Sequence, residues 1–308
     1  MKKNLLTPAF AVLLAAFAGA GPAAVSQVPA SSSIAAHVDF EQAKSLPACS
    51  TIVNWVFGNV GFVKKEGLVL RKSFGVNVPG DLSDLLLFAD GFSIDRLGDT
   101  DVMSAASYVS GKIDTARLAG AIKKAKGCKV TASGAHEIYQ ADFSGGVNMS
   151  FPSDGVALLA ASLESATAAL SVYDKKAPSI SPTSEIAKEF ALGAPVSVVV
   201  KARPGEKNLS VLSGEFIRTD AELIVARVTE ATPGTATLLV EMTFDKPETA
   251  AQIAATINGL KLISAFKHDP ATPDGIIQSF LAANVAVDGK KVSVSLSLSE
   301  KDLALLKK

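Results

Sequence analysis

The sequence predicts an α+β fold: two tandem layers of antiparallel sheet with helices packed on one face, loosely ferredoxin-like. Three observations predict it. Strand-like runs follow one another as hairpins joined by Gly, Pro, Ser and Asp turns, the signature of antiparallel pairing. Alanine-rich amphipathic segments lie between them, each opened by a capping Asp or Ser. Two stretches also echo each other, YVSGKIDTARLAGAIKKAKG and VEMTFDKPETAAQIAATING, each a strand, a capping Asp, then Thr-Ala and a helix.

The chain opens MKKNLLTPAFAVLLAAFAGA, with Lys2 and Lys3, an apolar stretch from Leu5 to Ala18 and small residues beyond it. This is the pattern of a secretory signal peptide over residues 1–20, with Ala18 and Ala20 at the small positions. Ala24 is a second possible last residue. A transmembrane anchor needs about 20 apolar residues, and Pro8 shortens this run. Cleavage after Ala20 removes Lys2 and Lys3 and no acid, so 30 basic residues become 28 against 30 acidic ones, a charge of −2. That balance, with lysines dense only at 121–130, argues against nucleic-acid binding. No later segment reaches membrane-spanning length without a charge or turn residue, so no membrane span is expected after cleavage, and the expected location is secreted or periplasmic.

Residues 21–36, small and polar with two prolines, read as a flexible leader. Domains are expected over 37–192 and 193–308. In the first, Asp39 caps a helix with Gln42 three residues on, a capping-box pair. Pro47 ends or kinks it, ACSTIVNWVFGNV continues it, and Gly58 and Gly61 close it. LLLFAD and MSAASYVSGKI read as strands. Asp114 then caps TARLAGAIKKAKG, with Ala116, Leu118, Ala119, Ile122 and Ala125 spaced for a buried stripe. EIYQADF, GVNMSF and GVALLAAS follow as strands, and a helix behind Ser162 presents Ala166, Leu170 and Tyr173. Prolines at 178, 182 and 195 punctuate the junction around a short helix near 184–192.

In the second domain VSVVVKA, ELIVARVTE and ATLLVEMTF read as strands, with turns at Pro204-Gly205 and Pro233-Gly234. Asp245 caps a long helix whose Pro247 and Glu248 suit a first turn. NVAVDGKKVSVSLSLSEKDLALL reads as a hairpin turning at Asp288-Gly289, followed by a Ser299-capped helix. In VSVSLSLS the valines and leucines face one way and the serines the other, as in a sheet with one buried face.

Chemistry is sparse. There is no Walker A, G-x-G-x-x-G, G-x-S-x-G or H-E-x-x-H pattern. Cys49 and Cys128 are the two cysteines, and in an oxidising compartment a disulfide between them is the expectation, stabilising by roughly 4 kcal/mol in the entropic account. Buried free thiols and a reactive Cys128 stand beside it, since the lysines of AIKKAKGCKV would favour a thiolate. His136, eight residues beyond Cys128, makes a cryptic hydrolase or thiol enzyme using Cys128 and His136 the enzymatic alternative. Ser264 and Lys267 form an S-x-x-K without its companion motifs. Asp95, Asp99 and Asp101 lack EF-hand spacing and read as a solvated turn. Cysteines and histidines show no metal-ligand spacing, so neither metal nor cofactor is expected. Trp55 is expected in the core, and Asn148 and Asn208 match the glycosylation pattern.

VDFEQA, YVSGKIDTARLAGAIKKAKG, IYQADF and GGVNMSFPSDGVALLAAS resemble a family of secreted proteins of unknown function from planctomycete-type and verrucomicrobial bacteria. TFDKPETAAQIAATINGL and VAVDGKKVSVSLSLSEKDLALL resemble its C-terminal unit. The resemblance implies the fold and the location and carries no activity or ligand. The expected function is that of a secreted or periplasmic non-enzymatic protein that binds a partner, a protein or envelope component, or contributes to envelope structure.

Overall fold

The structure is a computed structural model that describes residues 25–59, 76–77, 80–90, 104–140, 147–202, 208–212, 215–219, 221–266, 278 and 281–305. The signal peptide, the Asp95, Asp99 and Asp101 loop, Lys267, the Pro204-Gly205 turn and the side chains of Trp55, Asn208 and Ser264 lie outside the described residues.

Strand β1 (Ile34–Asp39) begins inside the segment expected to be a flexible leader. Residues 25–36 are instead packed, with Val28, Ala35 and Ala36 fully buried and Pro29 bridged to Ser179. The small side chains that suggest a linker here serve close packing: β1 is a central strand covered on both faces, so it needs no polar alternation. Asp39 ends β1 and caps α1 (Phe40–Ser45), accepting from the Gln42 backbone N–H at 2.7 Å. The Gln42 side chain turns away to donate to the Gly193 carbonyl, so the reciprocal half of the capping box is not formed. Helix α2 (Pro47–Asn59) follows Leu46, with Pro at its first position.

Strands β2 (Leu82–Asp90) and β3 (Ser104–Gly111) lead to α3 (Thr115–Lys123), capped by Asp114, which accepts from Arg117 N–H at 2.9 Å. Then come β4 (Lys129–Ser133), β5 (His136–Gln140), β6 (Asn148–Ser153) and β7 (Val156–Ala160). Helix α4 (Leu163–Tyr173) starts behind Ser162, and α5 (Glu185–Phe190) behind Ser184. The second half supplies β8 (Val196–Lys201), β9 (Asn208–Leu212), β10 (Glu215–Thr219), β11 (Leu223–Thr232) and β12 (Thr235–Thr243). It ends with α6 (Pro247–Phe266), β13 (Asn284–Asp288), β14 (Lys291–Ser299) and α7 (Glu300–Leu305). At α7 the capping box is complete: Ser299 Oγ accepts from Asp302 N–H, and Asp302 Oδ2 accepts from Ser299 N–H at 2.9 Å.

Twelve strands form one antiparallel sheet in the order β13, β14, β12, β11, β8, β1, β2, β3, β7, β6, β5, β4, while β9 and β10 pair separately. The fold is thus α+β with a dominant antiparallel sheet. The boundary expected at 192–193 falls between α5 and β8, and the sheet runs across it through β1 and β8, paired from Ile34↔Val200 to Val38↔Val196.

Helices pack on both faces, where a single covered face was expected. On one face Phe40 and Ala43 of α1, Cys49 and Ile52 of α2, Leu118 of α3 and Leu303 of α7 meet Ala36, Val38, Val196, Val198 and Ala226. Ala250, Ala254 and Ile257 of α6 extend that layer over Met242, Val292 and Val294. On the other face α4 and α5 bring Ala166, Ala169, Leu170, Ile186 and Phe190 against Ala35, Phe88, Tyr108, Leu158 and Val199. The cause is visible in β8, whose Val196–Val199 run is buried on both sides. Beyond β11 no helix among the described residues covers the α5 face: the half-buried Ser293, Ser295 and Ser299 and the exposed Ser297 of β14 lie there beside Thr235 and Thr237 of β12, the one-sided alternation the sequence predicts.

Candidate functional site

Where α5 ends its cover of the sheet, a cleft of about 370 Å³ opens against β11, β12 and β14. The register sets its floor. Lys201, Leu223, Thr243 and Lys291 stand side by side across four strands, with Val225 and Glu241 in the next row and Arg227 in the one after. Helix α5 forms the wall: Ile186, Ala187 and Phe190 are buried beneath it, and this leaves Glu185 and Glu189, four residues apart, to line the cleft with Glu222.

Arg227 holds this site together. Its guanidinium bonds Glu241 and lies 3.5 Å from Glu189, and Lys291 reaches the other Glu241 oxygen at 3.1 Å. All three central side chains are 15–18% exposed. Arg227 Nε is buried without a hydrogen-bond partner. Burial raises the Glu189 carboxyl, Arg227 opposes this, and the neighbouring Glu241 charge adds to it. Glu241 feels burial as well, but its bond from Lys291 and the Arg227 charge outweigh it and hold the group below its usual value. The two carboxyls are thus shifted in opposite directions within one ion-pair network. The lining offers charges of both signs around Leu223 and Val225 and contains neither imidazole nor thiol.

The sequence-predicted site residues fall elsewhere. Cys49 and Cys128 are free thiols, so the expected disulfide is not formed. Cys49 is buried in the main core, whereas Cys128 sits with Ile122 and Tyr139 in a separate small cluster beneath α3. Burial first, then the Glu230 charge and hydrogen bond, push the Cys49 thiol up to about 12. Cys128 and His136 are not brought together either. Lys129 pairs with Gln140 and Ser133 with His136, so Cys128, just before β4, and His136 occupy opposite ends of the β4–β5 hairpin, five residues or about 16 Å apart along the strand.

His136 bonds Asp174 at 2.7 Å, with Lys176 on the other Asp174 oxygen at 2.7 Å and Tyr173 edge-on to the ring. Asn148 is buried in β6, which closes it to glycosylation in the folded state. His37, which the sequence did not single out, is buried at the centre of β1 and bonds Asp84 at 3.0 Å, and its Nδ1 has no partner. Ser110 donates to the other Asp84 oxygen at 3.3 Å. In an acyl-transfer triad the imidazole contacts the hydroxyl; here the carboxylate stands between them. Among the described residues no three His, Cys, Asp or Glu side chains could hold a metal, and no helix is long and apolar enough to cross a membrane.

The sequence signal for the cleft was weak. Arg227 and Glu241 each interrupt an apolar strand, and a charge at such a position asks for a partner.

No family model and no curated protein matches the chain. Among solved structures, two crystal forms of the Treponema protein TP0453 are similar to it. Form I has 11% identity and a TM-score of 0.43 over 94% of this chain and 97% of that one, and form IV has 10% identity and a TM-score of 0.47 over 92% and 96%.

Proposed function

We propose that this is a secreted or periplasmic, non-enzymatic binding protein that takes a charged segment of a protein or envelope component in the cleft between α5 and the open sheet face. The supporting observation is the row Lys201, Leu223, Thr243, Lys291 under the Glu185 and Glu189 wall: charges of both signs at fixed spacing around the apolar Leu223 and Val225. Such a surface recognises charge pattern, and electrostatic complementarity supplies specificity. The signal-peptide pattern supports export, and the resemblance to secreted bacterial proteins of unknown function supports the same reading.

Thermal-shift titration with acidic, basic and mixed-charge extended peptides tests it. The mixed-charge peptide stabilises saturably, and Lys201→Glu weakens that binding by about tenfold, the effect of reversing one contact charge. No saturable binding by any of the three, or equal binding by the variant, overturns it. Amino-terminal sequencing of the exported chain checks the cut near Gly21.

We also infer that the two halves are tandem copies of one unit. Each runs as a three-strand meander (β1–β2–β3 and β8–β11–β12), an alanine-rich helix (α3 behind its cap Asp114, α6 starting at Pro247 two residues after Asp245), and a hairpin followed by a Ser-capped helix. Helices α3 and α6 lie on the same face and α4 and α7 on opposite faces, so the copies agree through the first helix and diverge at the last.

A further inference from the structure

The sheet ends at two strands, β4 and β13, each paired on one side only among the described residues. Such an edge is a template for another strand unless charge, proline or cover blunts it. Strand β4 carries Lys129 and follows Lys124 and Lys126, which is the usual protection. Strand β13, NVAVD, carries no lysine and no proline, and four of its five residues are exposed. Val287 is 46% exposed, and Leu262 of α6, 67% exposed, follows Lys261, whose Nζ donates to the Ala283 carbonyl at the start of β13.

The hairpin geometry fixes which backbone groups face outward. Asp288 and Lys291 flank a two-residue turn whose first position, Gly289, has φ +54°, as a type II′ turn requires. The residues flanking such a turn exchange both hydrogen bonds, and the pattern alternates along the ladder. Asp288, Ala286 and Asn284 therefore bond inward to β14, and the N–H and C=O groups of Val285 and Val287 point away from the sheet.

We propose that β13 pairs with β13 of a second copy about a two-fold axis at Ala286. In that register Val285 meets Val287 of the second copy and Val287 meets its Val285, so both outward residues exchange their hydrogen bonds. Asp288 stands opposite Asn284 of the second copy, and no like charges face each other. The valines fall on the face that α6 covers, which continues the apolar layer across the junction. The interface is isologous and closes as a dimer.

The test uses the purified full chain in a Cys128→Ser background. Light scattering after gel filtration gives twice the chain mass. Val287→Pro removes one outward donor and leaves the bonds to β14 in place, and it halves the mass without loss of the unfolding transition. Ala286→Cys, at the non-hydrogen-bonded centre of the pair, links two copies on mild oxidation, since Cα atoms there approach within disulfide range. Val130→Pro at β4 leaves the dimer intact. A monomer at all concentrations, a dimer that survives Val287→Pro, dissociation by Val130→Pro, or a concentration-dependent ladder of larger species each overturns the proposal.

Discussion

Replacing Glu230 by alanine loosens the start of α2, and the size of the effect follows from the contacts. Helix α2 follows Leu46, whose side chain has no oxygen to cap it, and its first residue, Pro47, brings no N–H. The next two N–H groups, of Ala48 and Cys49, are the donors left over at a helix start. Both donate to Glu230 Oε2, at 2.9 and 3.0 Å, while Oε1 accepts the Gly234 N–H at 2.6 Å. One carboxylate from the end of β11 thus does for α2 what Asp39, Asp114, Ser162, Ser184 and Ser299 do at α1, α3, α4, α5 and α7.

Ala48 and Cys49 are 0% and 1% exposed, so water does not easily replace the lost acceptor. Unsatisfied donors at about 1 to 2 kcal/mol each give about 3 kcal/mol for Glu230→Ala. Glu230→Gln, which keeps one acceptor and loses the charge, costs about half of that. For a chain of this size the alanine variant melts about 5 °C lower.

Thiol labelling reads the same change locally. Two thiols titrate in denaturant. In the native protein Cys128 labels first, and Cys49, buried and with its pKa pushed up to about 12, labels only when α2 opens. About 3 kcal/mol makes the slow phase roughly a hundredfold faster in Glu230→Ala if opening limits it. An unchanged slow phase and melting temperature would refute the capping argument, and no free thiol in denaturant would refute the unlinked cysteines beneath it.

Two further predictions concern the sheet. A Cβ on Gly111 would stand 2.2 Å from the Asp81 carbonyl oxygen and 2.8 Å from Leu82 Cα, backbone atoms with nowhere to go, whereas one on Gly120 of α3 meets nothing within 4 Å. Gly111→Ala therefore costs about 3 kcal/mol in urea unfolding and Gly120→Ala gains up to about 1 kcal/mol; equal effects would contradict the close approach of β3 to the Asp81 turn. The His37 bond, against the opposing effect of burial, holds the Asp84 carboxyl below its usual value, helped by the His37 charge and the Ser110 hydroxyl. A lowered folded value stabilises the fold above the ordinary carboxylate range, and that stability is lost as pH falls through the folded value. Asp84→Asn is accordingly less stable at pH 7 and has a flatter stability profile between about pH 5 and pH 3, and parallel profiles for variant and wild type would refute the assignment.

Local signals were legible where one element decides its own fate. Asp39, Asp114 and Ser162 each cap the helix the sequence assigns to them, and Ser299 starts α7. The serine alternation of β14 gives its buried face directly. Strand β1 was hidden because its partners lie far apart: β2 is nearby, but β8 begins at Val196, and only the two together bury Ala35 and Ala36 on opposite faces. The cysteine link was inferred from compartment alone, and spacing cannot show that one thiol points from α2 into the main core and the other sits in a separate cluster under α3. The cleft escaped for the same reason, since Glu189, Arg227 and Glu241 come from three elements and meet only through strand register.

The pairing of β1 with β8 also sets a sequence of events for a chain that emerges from its amino terminus. Strand β1 can take up β2 early, but its other edge waits until about residue 200 has appeared. Until then a half-sheet presents a bare, apolar central strand, and two such edges from different chains can join as readily as the native pair. Contacts of this sequence separation form slowly. The joint that makes one sheet of two halves is therefore also where assembly is most exposed to error.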